Sequence, residues 1–64
     1  MPEAELLEID IGDLKHAYDR IREALNDLKD VDGLDEEYEQ LHNIAEAIND
    51  LRIENENKLE RLEG

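Results

Sequence analysis

The stretch "NDLKDVDGLDEEYEQL", residues 26–41, joins two leucine-led patterns across a single glycine, and how it is read decides the fold. Gly33 suits the left-handed backbone that follows a helix, and Asp35 suits the cap of the next one. Lys29 would lie in the last turn of the first helix, where a cation opposes the dipole. Glu36 and Glu37 would lie in the first turn of the second, where anions are favoured. The stretch therefore reads as a stop and a restart between two helices.

Outward from this turn the apolar spacing is regular on both sides. Leu7, Ile11, Leu14, Tyr18, Ile21, Leu25 and Leu28 alternate steps of four and three, which is one heptad seam on one helix face. Leu34, Tyr38, Leu41, Ala45, Ile48, Arg52, Asn55, Leu59 and Leu62 continue the alternation without a slip. Gly12 and the strand-like alternation of "EIDIGD" weaken the start of helix one, but the seam runs through Gly12 in step. The sequence predicts an all-α protein: one helical-hairpin domain over 1–64, with helix one at about 3–30, a turn at 31–34 and helix two at about 35–62. "IREALNDLK" at 21–29 and "IAEAINDLR" at 44–52 echo each other, which reuse of good helix formers explains.

With Ile11, Tyr18 and Leu25 at heptad position a, and Tyr38, Ala45 and Leu59 likewise, the two flanks of the seam differ. The e flank pairs Glu8, Lys15, Arg22 and Lys29 with Asp35, His42, Asn49 and Glu56, and is polar and mostly complementary. The g flank holds Ala17, Ala24 and Val31 on helix one and Ile44 and Leu51 on helix two, an apolar width that a lone hairpin cannot cover. Packing through it predicts a homodimer, an antiparallel four-helix bundle. Arg52 and Asn55 interrupt the apolar series of helix two and fall at the level of Asp10 and Asp13. The expectation is a polar layer in which Arg52 reaches a carboxylate of helix one, fixing alignment more than adding stability.

A 64-residue chain without cysteine has no disulfide to staple it and buries a small core. Its formal charge is −13, which repels nucleic acid phosphates and favours basic proteins or cations. No apolar run is long enough to cross a membrane, and "MPEAELLEID" opens with acids where a secretion signal carries bases, so a cytoplasmic, soluble chain with no membrane partner is expected.

"DVDG" resembles the middle of an EF-hand loop, placing Asp30, Asp32 and Glu39 at liganding positions. Leu28 stands where the first ligand belongs, and Asp35 where an apolar residue belongs. "DLKH" and "EQLH" have the carboxylate-x-x-His spacing of di-iron bundles, yet His16 falls on the outer face and His42 on the rim. No metal or cofactor is expected. Nor is catalysis: the chain lacks Ser, Thr and Cys nucleophiles and any glycine-rich phosphate loop.

Binding remains. From Asp30 to Leu51 the chain carries Asp30, Asp32, Asp35, Glu36, Glu37, Glu39, Glu46 and Asp50, with no lysine or arginine. The expected function is a protein-binding module or inhibitor docking through this acidic surface on a basic protein. The alternatives are a nucleic-acid-mimicking inhibitor of a DNA- or RNA-binding protein, or a purely structural oligomerisation hairpin. The layout, with "LNDL" before the turn and "LH" after it, also resembles the plasmid RNA-binding hairpins of the Rop type. That resemblance implies an antiparallel four-helix dimer using an outward face of helix one on paired RNA loops. Lys15, Arg20, Arg22 and Lys29 would be the bases available, but residues 3–30 net 4 − 9 = −5, which makes nucleic acid the least favoured partner.

Overall fold

The structure, a computed structural model, describes residues 2–64. Two α-helices, α1 (Glu3–Leu28) and α2 (Asp35–Glu63), fold back on each other as a hairpin, and no strand occurs among the described residues. The rod measures 47 × 15 × 14 Å. Its radius of gyration of 14.7 Å exceeds the roughly 10.7 Å of a compact domain of this length, as a two-helix hairpin must.

Pro2, extended in its backbone, stands just before α1, and its carbonyl accepts the amides of Glu5 and Leu6 at 3.1 and 3.3 Å. Proline suits this place, because its missing N–H would have had no partner in a first turn. The helix runs unbroken through Gly12 for 26 residues, since a long apolar face packed on α2 outweighs the local cost of one glycine. It ends at Leu28, two residues sooner than the sequence suggests, and the Val31 amide donates to the Leu28 carbonyl at 3.0 Å. Lys29 is accordingly the residue that closes α1 rather than a member of its last turn. Val31 belongs to the connection rather than to the g flank of a helix.

Gly33 takes a φ of +90°, the left-handed value expected of it, but it turns the chain into α2 instead of directly ending α1. Asp35 does not cap α2. Leu34 occupies that place without a side-chain hydrogen bond, its carbonyl accepting the Tyr38 amide at 2.7 Å, and Asp35 is the first helical residue. The contribution of Asp35, Glu36 and Glu37 is therefore charge at the positive end of the dipole.

Apart from Leu62, which is exposed, the seam residues of both helices are buried or half-buried. Ile11, Leu25 and Ala45 are buried, and with them Asn55, only 8% exposed. Leu28 and Tyr38 line one hollow at the turn, and Glu3 and Leu62 another at the open end. Counting inward from these ends along two antiparallel helices sets Ile11 about level with Asn55, Leu14 with Arg52 and Ile21 with Ala45. Asn55 is buried and Arg52 half-buried on the seam side of α2, which stays helical to Glu63 and does not fray after Leu51, but no polar residue of α1 completes a layer with them.

The ion pair expected within that layer is not the one formed. Asp10 and Asp13 are both exposed: Asp13 falls at a heptad position that points away from α2, and Asp10 lies on the open g flank. Arg52 is satisfied inside its own helix. Its Nη1 donates to Glu56 Oε1 at 2.8 Å, while Nε and Nη2 donate to Asn49 Oδ1 at 3.1 and 2.8 Å. Residues three and four apart face each other on a helix without any adjustment of the hairpin, so the local partners win.

Candidate functional site

The e flank, where the two helices face each other through polar side chains, is closed. Lys15 Nζ of α1 meets Glu56 Oε1 of α2 at 3.7 Å, and Glu56 also receives Arg52. One carboxylate thus joins both helices. The Lys15 pair is half exposed and is worth at most a few tenths of a kcal/mol after screening. Nearer the turn, Arg22, Leu25, Asn26, Lys29, Tyr38 and His42 line a hollow on the same flank. The Arg22 guanidinium stands 5.9 Å from the centroid of the Tyr18 ring, and His42 Nε2 lies 3.7 Å from Glu46 Oε1. Neither contact spans the helices, and both follow from i,i+4 spacing.

The opposite flank is open. Ala17 and Ala24 of α1 are half-buried against the seam, whereas Ile44 and Leu51 of α2 are 52% and 46% exposed and Val31 of the connection is 45% exposed. Leu6, which sequence reasoning did not single out, is exposed on this same side. The small Ala47 lies between Ile44 and Leu51 and is also exposed. Its signal in the sequence is the spacing of Ile44, Ala47 and Leu51, a second apolar stripe beside the seam. Ile9 and Ile53 are exposed on the outer faces, and Leu62 at the open end, where the seam runs out of partner.

The rod as a whole is also rich in exposed surface. A compact protein of 7.5 kDa exposes about 4,250 Å². The hairpin exposes 4969 Å², which leaves about 700 Å² more than a well-covered chain of its mass.

The eight acids fall into two groups. Asp30 and Asp32 in the connection and Asp35, Glu36, Glu37 and Glu39 in the first turns of α2 crowd one end of the rod. Glu46 and Asp50 lie further along α2, Asp50 about 21 Å from Glu36. All eight are exposed. Among the described residues only Glu46 enters an ion pair, with His42. Asp30, Asp32 and Glu39 do not converge: no group of three or more His, Cys, Asp or Glu placed to hold a metal ion occurs among the described residues. His16 is exposed on the outside of α1 and His42 half-buried on the e flank. No helix among the described residues is long and apolar enough to cross a membrane.

No protein-family model, curated protein or solved structure matches this chain. Its surface chemistry must therefore be argued from its own residues.

Proposed function

We propose that the chain is a small protein-binding module or inhibitor that docks on a basic partner through the acidic surface of α2, and that it works as a homodimer joined through the open apolar flank. The supporting observation is the span from Asp30 to Leu51. It carries eight exposed carboxylates and no lysine or arginine, with only His42 beside one of them, Glu46. Such a surface concentrates a basic partner around itself and speeds encounter, with a strength that salt screens over about 8 Å at physiological ionic strength. A groove that otherwise receives nucleic acid offers the same charge, so a nucleic-acid-mimicking inhibitor is the sharpest form of this reading.

The test is capture from lysate at low and high salt, with wild type beside a variant in which Glu36, Glu37, Glu39 and Glu46 are changed to Gln. The partner should be retained only by wild type at low salt, while circular dichroism shows the variant folded. Equal capture by the neutralised variant would reduce the acidic face to a solubilising surface. For the dimer, Ile44→Glu or Leu51→Glu places a charge in the apolar flank and should lower the sedimenting mass toward monomer. An unchanged mass in both would remove the flank as the interface.

A further inference from the structure

The open flank of α2 reads Glu37, Ile44, Leu51, Lys58 at intervals of seven residues: acid, apolar, apolar, base. A row with that order is complementary to itself when turned end over end. We infer that a second copy of this chain seats on the flank with its α2 antiparallel to α2, related by a two-fold axis that crosses the rod near Ala47. The inference rests on the dimer proposed above and fixes its geometry.

Under this axis Ile44 meets the partner's Leu51, and Glu37 meets the partner's Lys58, each contact occurring twice. Ala47, small and exposed, sits at the crossing point where two helix backbones approach most closely. The same axis passes α1 near Ala17, because Tyr18 is level with Ile48 across the hairpin. It also carries the exposed Leu6 toward the partner's Val31. Four of the large apolar side chains left in solvent by the single hairpin, Leu6, Val31, Ile44 and Leu51, are therefore covered in pairs. The whole rod exposes about 700 Å² more than a compact chain of its mass, a surplus to which this flank contributes and which is comparable with the roughly 800 Å² per partner that a stable interface buries. A foreign partner of suitable shape could cover the same area, but nothing would then relate the acid at one end of the row to the base at the other.

Charge reversal separates this arrangement from the alternatives. Within one hairpin Glu37 and Lys58 are about 31 Å apart along α2, so they can influence each other only between copies. Glu37→Lys and Lys58→Glu should each weaken the dimer about tenfold in sedimentation equilibrium, since each turns two attractions into two repulsions. The double variant should recover wild-type affinity. Net charge alone gives a different pattern: Glu37→Lys lowers the magnitude from −13 to −11 and would strengthen the dimer, while Lys58→Glu raises it to −15 and would weaken it.

Ala47→Cys provides a second reading, because a cysteine at the axis should form a disulfide with its own copy under mild oxidation. Asn43→Cys, on the outer face of α2, should not. Failure of the double variant to recover, or of Ala47→Cys to cross-link ahead of Asn43→Cys, overturns the two-fold alignment and leaves the dimer standing. A wild-type chain that sediments as a monomer throughout overturns the dimer as well.

Discussion

Asn55→Leu is the substitution that most directly weighs stability against alignment in this hairpin. Asn55 occupies a seam position that is mostly Leu or Ile elsewhere, is 8% exposed, and by count along the two helices falls about level with buried Ile11. Leucine there would withdraw most of a large apolar side chain from water, worth about 1.5–3 kcal/mol, and would remove the cost of confining a primary amide beside Ile11. Imperfect fit against a seam built around the narrower amide takes back part of this, so a net gain of about 1.5 kcal/mol is expected. For a chain of this size that corresponds to a rise in melting temperature of roughly 6–12 °C, measured by circular dichroism at fixed protein concentration. Uniqueness should fall as stability rises, because with Arg52 left as the one polar seam residue of α2 less opposes a slide of one helix along the other by a heptad. Sedimentation velocity should accordingly show more than one species. An unchanged or lower melting temperature would mean that the amide is held by solvent or by partners worth more than the leucine, and that Ile11 and Asn55 do not share a layer.

The two internal glycines should respond in opposite directions. Nothing lies within 4 Å of a methyl group built on Gly12, and the residue is mid-helix, so Gly12→Ala should stabilise by about 0.5–1 kcal/mol in urea unfolding. Gly33→Ala also meets no neighbour but must hold a φ of +90°, and should destabilise by about 1 kcal/mol. Millimolar calcium should leave the melting temperature nearly unmoved; a rise that grows with calcium concentration would show that Asp30, Asp32 and Glu39 are drawn together by the ion.

The helices were readable in the sequence because a heptad seam is a property of spacing alone, and Leu7 through Leu28 and Leu34 through Leu59 keep theirs without a slip. The turn was readable only in part. Gly33 announced a left-handed residue, but which residue closes α1 and which opens α2 depends on backbone hydrogen bonds to Leu28 and Leu34, and those residues carry no composition signal. Arg52 misled for a related reason. A cation in an apolar series invites a search for a carboxylate across the hairpin, yet Asn49 and Glu56 were already in reach along the same helix. The level of Arg52 opposite Asp13 could be counted; the outward direction of Asp13 required the heptad position of that residue as well. Lys15 and Glu56 met as the polar flank suggested, because both sit on the inner side of their helices.

The two associations proposed for this chain must respond to salt with opposite sign. Bringing two chains of charge −13 together is opposed by their own repulsion, so added salt should tighten the dimer, whereas docking on a basic partner is driven by attraction and should loosen. The two-fold alignment gives this opposition a structural form. With α2 beside its copy, both acidic helices share one side of the bundle, and Lys15, Arg20 and Arg22 lie on the other with the two copies of α1. The repulsion between the α2 helices is met where they touch by apolar contact at Ile44 and Leu51 and by Glu37 against the partner's Lys58. The acids crowded near each turn would then lie at the two ends of a bundle about as long as the 47 Å rod, with Glu46 and Asp50 of each copy between them. Dimerisation would therefore gather two half-strength acidic surfaces into one, and a basic groove long enough to span both would bind the dimer more tightly than twice the monomer, by raising the effective concentration of the second contact.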